Sequence, residues 1–358
     1  MSQPPRKYLG QTVPVKAAHR IDEGKLSAFL GDQLPEFAGP LEVSQFEGGQ
    51  SNPTYLLTTP SRKYVLRRKP PGVLLKSAHA VDREFRVMRA LFEHDFPVAE
   101  PLVLCEDDSV LGTAFYVMRH VPGRVFLMNT MPDLTPAERA AVYDSANATL
   151  AALHTFDYVA AGLGDFGRPG NYFERQISRW SQQYEASRTQ DIPEMDRLIA
   201  WLPTAAPPPS EARLIHGDYS FHNLLMHPTE PRVAAVLDWE LSTTGDPLGD
   251  LTYHCAEWYR ADAGDSRGSL AGLDLAALGI PTLEAYVARY CERVGRPPIE
   301  NLGFYKAYNL FRVAAIVQGI VGRAAQGNAA AEGAAAQAAR VRPLAEAAWR
   351  FAQEAGAA

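Results

Sequence analysis

The chain has 358 residues, 46% hydrophobic and 21% charged, with 35 basic against 41 acidic side chains for a formal charge of −6. This is globular composition, which excludes a disordered or fibrous chain and leaves length for two lobes around one cleft. The acidic balance argues against a nucleic-acid partner or an anionic membrane. No run approaches the roughly 18 apolar residues of a membrane span, and the start MSQPPRKYLG lacks a signal-peptide core, so a cytoplasmic location is expected. Cys105, Cys255 and Cys291 are far apart and make no metal-ligand spacing, so they read as reduced core thiols. Oligomeric state is not legible.

Residues 1–20 are polar and proline-containing and read as a surface arm. Helical spacing of Leu26, Phe29, Leu30 and Leu34 predicts a helix over 21–34. Alternation of apolar and polar residues then predicts antiparallel strands over 41–46, 55–59 and 64–68. Between the first two strands, Gly48, Gly49, Gln50, Ser51 and Asn52 form a small-residue loop whose amides could cradle an anion; Gly-Gly here is also an ordinary hairpin turn. The period of two puts Val65, Arg67 and Lys69 on one face of the third strand, so one of these two cations is expected to point into the cleft. A helix over 79–94 carries the stripe Val81, Phe85, Met88 and Leu91 or Phe92, flanked by Glu84. The β-rich run AFYVMRHV over 114–121 ends at Pro122-Gly123, which marks a lobe boundary, giving domains 1–120 and 121–358.

Thr135, Pro136 and Glu138 spell a capping box that opens a helix through Val142, Ala146, Leu150 and Leu153. Further helix is expected around 172–184 and 195–201, followed by a stiff proline linker over 203–209. The stretch LIHGDYSFHNLLMHPTEPRVAAVLDWELSTTGDPLGDL, residues 214–251, holds two apolar runs that each end in polar residues: His216-Gly217-Asp218 after the first, Asp238 after the second, with Asn223 between. Such oxygens suit phosphoryl transfer from a nucleoside triphosphate, where Mg²⁺ takes one or two hard oxygen ligands from the protein and an acceptor hydroxyl needs a base. Asp238 and Asn223 are the candidate metal ligands, and Asp218 is left as the base. Asp246-Pro247 starts a helix with Asp250 in its first turn, and the remaining chain reads as helix over 283–294, 301–325 and the Ala-rich end.

The run H-G-D-x-x-x-x-N followed by L-D-W-E and G-D-P-x-x-D-L resembles the protein-kinase-like phosphotransferases, in particular the aminoglycoside phosphotransferase and choline kinase group. The runs PPGVLLKSAH, FYVMRHVPGRVF and GDPLGDL look like a narrower branch that includes the kinase-like domains fused to acyl-CoA dehydrogenases. The resemblance implies an α+β fold of two lobes, a small one with an antiparallel sheet and one crossing helix and a larger helical one carrying the catalytic loop. It implies ATP and Mg²⁺ as cofactors and a small-molecule hydroxyl acceptor; for the narrower branch, that acceptor is a hydroxy acid or hydroxyacyl-CoA.

Residue by residue, the resemblance implies that Arg67 stands where the family has a phosphate-binding lysine, with Lys69 as the alternative, and that Glu84 pairs with that cation. It implies adenine reading by the Arg119 carbonyl and Val121 amide with Met118 behind the ring. His216 would brace the catalytic loop beside Asp218, and Asp250 would support it. His222 could face either substrate or core, and Trp239 and Arg312 are candidate acceptor contacts. Residues 301–358 hold six basic and three acidic side chains, which favours a neutral or anionic acceptor over a polycationic aminoglycoside. The eight residues from Asp238 to Asp246 leave no room for a protein-kinase activation segment. A nucleotide-binding pseudokinase and an aminoglycoside O-phosphotransferase are the alternatives.

Overall fold

The computed structural model describes residues 8–47, 52–70, 80–168, 170–260, 268–325 and 334–358. The cradle candidates Gly48, Gly49, Gln50 and Ser51 lie outside the described residues, as do 71–79 of the PPGVLLKSAH run. The chain forms two compact units: Met1–Leu127 with Asp157–Gly164 and Phe221–Ser242, and Met128–Phe156 with Asp165–Ser220 and Thr243–Ala358.

The first unit is built on a six-stranded antiparallel sheet in the order Thr12–Val13, Glu42–Phe46, Thr54–Thr58, Lys63–Arg68, Phe115–Arg119, Pro101–Cys105. Because side chains alternate, Tyr55, Leu57, Tyr64, Leu66, Phe115 and Val117 face one side, where the helix Glu23–Gln33 buries Leu26 and Leu30 against them. The side chain of Asp22 caps that helix by accepting from the Lys25 amide. The surface arm expected over residues 1–20 is corrected at Thr12–Val13, which pair with Phe46 and Gln45 as an edge strand, and at Tyr8–Leu9, which pair with Phe126 and Val125. Two-residue strands carry too little periodicity to be read from sequence. The edge strand Pro101–Cys105 also went unforeseen.

The crossing helix runs Val81–Phe92, and its buried residues are Val81, Glu84, Val87, Met88, Ala90 and Leu91. Glu84 therefore lies within the buried stripe and not beside it, while Phe92 is 41% exposed. The hairpin of Leu224–Met226 and Val233–Val236 belongs to this unit, because the Val236 amide donates to the Pro97 carbonyl (2.8 Å) and Arg124 and Met226 exchange backbone hydrogen bonds at 2.9 Å. Packing thus distributes the chain between the units differently from a single cut after residue 120.

The second unit is mainly helical: Pro136–Thr155, Tyr172–Ser187, Pro193–Ala205, Pro247–His254, Leu283–Val294, Leu302–Ala325 and Ala334–Glu354 are its longer helices. The capping box forms, with Thr135 Oγ1 accepting from the Glu138 amide and the Glu138 carboxylate accepting from the Thr135 amide at 2.8 Å. The linker expected over 203–209 is corrected at its start: helix Pro193–Ala205 continues through Pro203, so the irregular stretch begins at Ala206. The nearly apolar helix Leu302–Ala325 is packed by Ala334–Glu354 and Tyr172–Ser187, which explains its lack of a polar face. In that helix Arg312 is buried and Arg323 is exposed. A two-stranded ribbon joins Arg213–Ile215 to Thr243–Gly245. Gly245 is required there, because a Cβ would come within 2.5 Å of the Tyr172 ring. All three cysteines are buried thiols. Among the described residues no helix is long and apolar enough to cross a membrane.

Candidate active site

In the first unit the predicted residues converge on Arg67. The Lys63–Arg68 strand sets Arg67 opposite Thr54 on one neighbour and Tyr116 on the other, on the sheet face away from the Leu26–Leu30 core. Its Nε lies 2.8 Å from Glu84 Oε2, and its Nη2 donates to Asp238 Oδ1 at 2.5 Å and to Glu240 Oε2 at 3.3 Å. The planar fork of an arginine makes this double engagement from two separate nitrogens, whereas a lysine ammonium has all its donors on one atom. Glu84 accepts two further hydrogen bonds, from Tyr116 Oη at 3.0 Å and from Asn52 Nδ2 at 3.1 Å, and Asn52 also reaches Glu240 Oε2 at 3.4 Å. Burial raises the Glu84 carboxyl above the usual range; Arg67 pulls it down and the Asp238 charge pushes it up. The Arg67 guanidinium stays charged: burial alone would disfavour it, but Glu84 and Asp238 more than compensate. Lys69, the alternative cation, reaches Asp82 at 3.8 Å and is a surface pair.

Asn223 and Asp238 are held together by the backbone of their hairpin: the Leu237 amide donates to the Asn223 carbonyl at 2.8 Å, one residue before Asp238. Asp238 itself adopts φ +64°, ψ +66°, a left-handed conformation that a non-glycine residue occupies only under constraint. Its side chain is 36% exposed while Glu240 is 22% and Glu84 1% exposed, so the Asp238 carboxylate is the most reachable member of the cluster. One carboxylate and one amide are the sparse protein donor set that Mg²⁺ takes when phosphates and water complete its shell, so these residues fit that ion. Among the described residues no group of three or more His, Cys, Asp or Glu makes an all-protein metal cage.

Other first-unit candidates are placed less suggestively. Met118, Arg119 and Val121 are half-buried at the end of the Phe115–Arg119 strand, where the Arg119 amide donates to the Glu100 carbonyl at 2.9 Å and its guanidinium pairs with Glu100 and Glu36. His222 bonds through Nε2 to the Leu127 carbonyl at 3.1 Å, the core orientation of its two alternatives. Trp239, expected at the acceptor, is corrected: it is 1% exposed, donates to the Val236 carbonyl at 3.0 Å and meets Phe96 edge to face. An indole fully occupied by core contacts has no face for a substrate.

The second unit holds the HGD segment. Asp250, in the first turn of helix Pro247–His254, accepts the His216 amide through Oδ2 at 2.5 Å and the Gly217 amide through Oδ1 at 2.8 Å. Burial alone would raise the Asp250 carboxyl, but the bonds and charges of His154 and His216 hold it below the usual range. His154 in turn bonds Tyr290 Oη at 2.6 Å, extending the network. Gly217 has φ +84°, so only glycine suits the turn that aims Asp218. On the other side of that peptide, the Gly217 carbonyl accepts from Arg312 Nη2 at 2.8 Å. Arg312 is buried with its guanidinium over Tyr253 (4.8 Å) and Trp180 (5.7 Å), and is therefore occupied in bracing the loop. His216 is fully buried and its Nδ1 accepts from the Asp218 amide at 3.2 Å, which is also a bracing arrangement.

The sequence reading missed Tyr116 and Glu240 in the first unit and His154 and Tyr290 in the second. Glu240 stands two residues after Asp238 in the quoted D-W-E run, a spacing that offered a signal; Tyr116 sits in a strand whose register alone brings it opposite Arg67.

The family model described as "Phosphotransferase enzyme family" matches residues 42–302. A crystal structure from Ralstonia eutropha JMP134, provisionally assigned as an aminoglycoside phosphotransferase, superposes with TM-score 0.84 at 49% identity, over 94% of this chain and 99% of that one. Aminoglycoside phosphotransferase APH(4)-Ia superposes at TM-score 0.60 with 19% identity, over 94% of this chain and 100% of that one, a likeness of fold alone. The fold is thus that of the protein-kinase-like phosphotransferases, an α+β fold with a sheet-based and a helical part. The chain belongs to the phosphotransferase enzyme family. It is also 43% identical over 96% of its length to mouse acyl-CoA dehydrogenase family member 10 and 46% identical over 94% to chicken acyl-CoA dehydrogenase family member 11. It spans 32% and 44% of those two proteins.

Proposed function

We propose that this chain moves the γ-phosphoryl group of ATP to a hydroxyl of a small molecule, and that the acceptor is a hydroxy acid or a hydroxyacyl-CoA. The observation that carries the reading is the Arg67 guanidinium joined at once to Glu84 and to Asp238, the cation, helix carboxylate and metal aspartate of a kinase-like nucleotide site. In this reading Asn223 and Asp238 hold Mg²⁺, which when bound neutralises phosphate charge and orients the γ-phosphoryl group. Arg67 binds the α- and β-phosphates, and Met118, Arg119 and Val121 line the adenine position.

Asp218 accepts the acceptor's hydroxyl proton as the oxygen bonds to the γ-phosphorus; the bond from that phosphorus to the bridging oxygen breaks, and its electron pair leaves with ADP. Positioned proton acceptance of this kind contributes about 10²- to 10⁴-fold. His216, Asp250 and Arg312 fix the Asp218 backbone and touch no reactant. The names of the relatives, acyl-CoA dehydrogenase family members 10 and 11, support an acceptor drawn from acyl-group chemistry.

A panel of hydroxy acids, hydroxyacyl-CoA thioesters and aminoglycosides incubated with γ-labelled ATP tests this. Label on a hydroxyacyl compound is expected. Label on aminoglycosides alone would overturn the acceptor assignment. Nucleotide binding with no transfer to any acceptor would favour the pseudokinase reading, which the Arg67–Asp238 contact also permits.

A further inference from the structure

Among the described residues, three carboxylates, Glu84, Asp238 and Glu240, meet the Arg67 guanidinium, and Asn52 Nδ2 ties the two glutamates together from the side. Two of the guanidinium nitrogens serve opposite ends of this arrangement: Nε meets the buried Glu84, and Nη2 meets the exposed Asp238 together with Glu240. A divalent ion that coordinates Asp238 takes an oxygen from a carboxylate already engaged by Arg67 at 2.5 Å, and must stand beside a fixed positive charge. That repulsion is relieved when Nη2 turns to an anion beyond the carboxylates of the cluster. The phosphates of a nucleotide are such an anion, and the arginine fork suits phosphate oxygens well.

We propose that Arg67 makes divalent-metal binding at Asp238 conditional on the nucleotide: the guanidinium acts as the counter-ion of the metal carboxylate until triphosphate oxygens draw it away. This rests on the metal and nucleotide roles given above. The consequence is coupled binding, in which metal and nucleotide each strengthen the other, and in which the free ion alone binds weakly. A lysine at this position keeps the charge but engages Glu84 and Asp238 from one atom and not from two, so the coupling is weaker.

The test is Mn²⁺ binding to the full chain, read from the free-ion electron paramagnetic resonance signal, with and without a non-hydrolysable ATP analogue. Without nucleotide, Arg67→Gln is expected to bind Mn²⁺ at least about tenfold more tightly than wild type, because the acidic cluster loses its internal cation. The analogue is expected to tighten Mn²⁺ binding strongly in wild type and much less in the variant. Arg67→Lys is expected to fall between them, and it decides the matter if Arg67→Gln does not fold by circular dichroism. Equal nucleotide-free Mn²⁺ affinity in wild type and the folded variants overturns the proposal. Asp238→Asn separates the two levels: if it leaves Mn²⁺ binding in the presence of the analogue unchanged, the metal assignment itself is wrong.

Discussion

The Arg67 cluster and the Asp250 brace are both buried carboxylate networks, and they solve opposite problems. Asp250 is 1% exposed, His154 Nε2 lies 3.5 Å from its Oδ2, and its oxygens are taken by the His216 and Gly217 amides. Nothing in that arrangement invites a further ligand. Around Arg67, among the described residues, three carboxylates meet one guanidinium, and the member with φ +64° is the most exposed of the three. The Asp250 network fixes a loop; in the proposal above, the cation of the Arg67 network changes partners. Burial and pairing alone therefore do not separate support from function, whereas unbalanced charge with one exposed, strained member does.

Breaking the exchangeable side has the largest expected effect. On the proposed metal role, Asp238→Asn removes the ligand's charge and the ion pair with Arg67, and kcat/KM for phosphoryl transfer is expected to fall by more than the roughly 10- to 100-fold that loss of an outer-shell metal partner costs. Retained activity would show that Asp238 holds no metal. On the static side, Asp250→Ala leaves two buried amides without an acceptor, and urea unfolding is expected to show a loss of about 3 kcal/mol. Because the Asp250 carboxyl is held low in the folded chain, its contribution is present above the unfolded carboxylate pKa and fades as pH falls below about 4. The stability gap between wild type and Asp250→Ala is therefore expected to narrow in acid; a gap independent of pH would contradict an ionised brace.

Tyr116→Phe sharpens the comparison at smaller scale. It removes one bond to Glu84 and is expected to cost about 1 kcal/mol of stability while weakening nucleotide binding severalfold. A stability loss with nucleotide affinity unchanged would separate Glu84 from the nucleotide site. Thr135→Ala, in the second unit's capping box, is expected to cost about 1 kcal/mol and leave transfer rates unaltered, a baseline for purely structural loss.

Much of this was legible from sequence because the motifs are local. The H-G-D run, the D-W-E run and the Thr135–Glu138 cap each declare themselves within a few residues, and the longer strands and helices follow from period two and 3.6. What stayed hidden was set by register and tertiary packing. Tyr116 faces Arg67 only because two strands pair in one register out of several. Glu84 enters the buried stripe, against the usual place of a glutamate, because Arg67, Tyr116 and Asn52 receive it. Trp239, a candidate acceptor contact, is claimed by Phe96 and Val236, contacts that no local run announces. Arg312 looked like an acceptor contact from charge balance, and its bond to Gly217, ninety-five residues away in sequence, has no sequence signature.

The most direct measurement separates nucleotide binding from chemistry in Asp218→Asn. A single-turnover experiment with MgATP and a hydroxyacyl acceptor is predicted to show binding close to wild type and transfer slowed by about 10²- to 10⁴-fold. Transfer at the wild-type rate by a variant that binds MgATP normally would contradict the assignment of Asp218 as the proton acceptor.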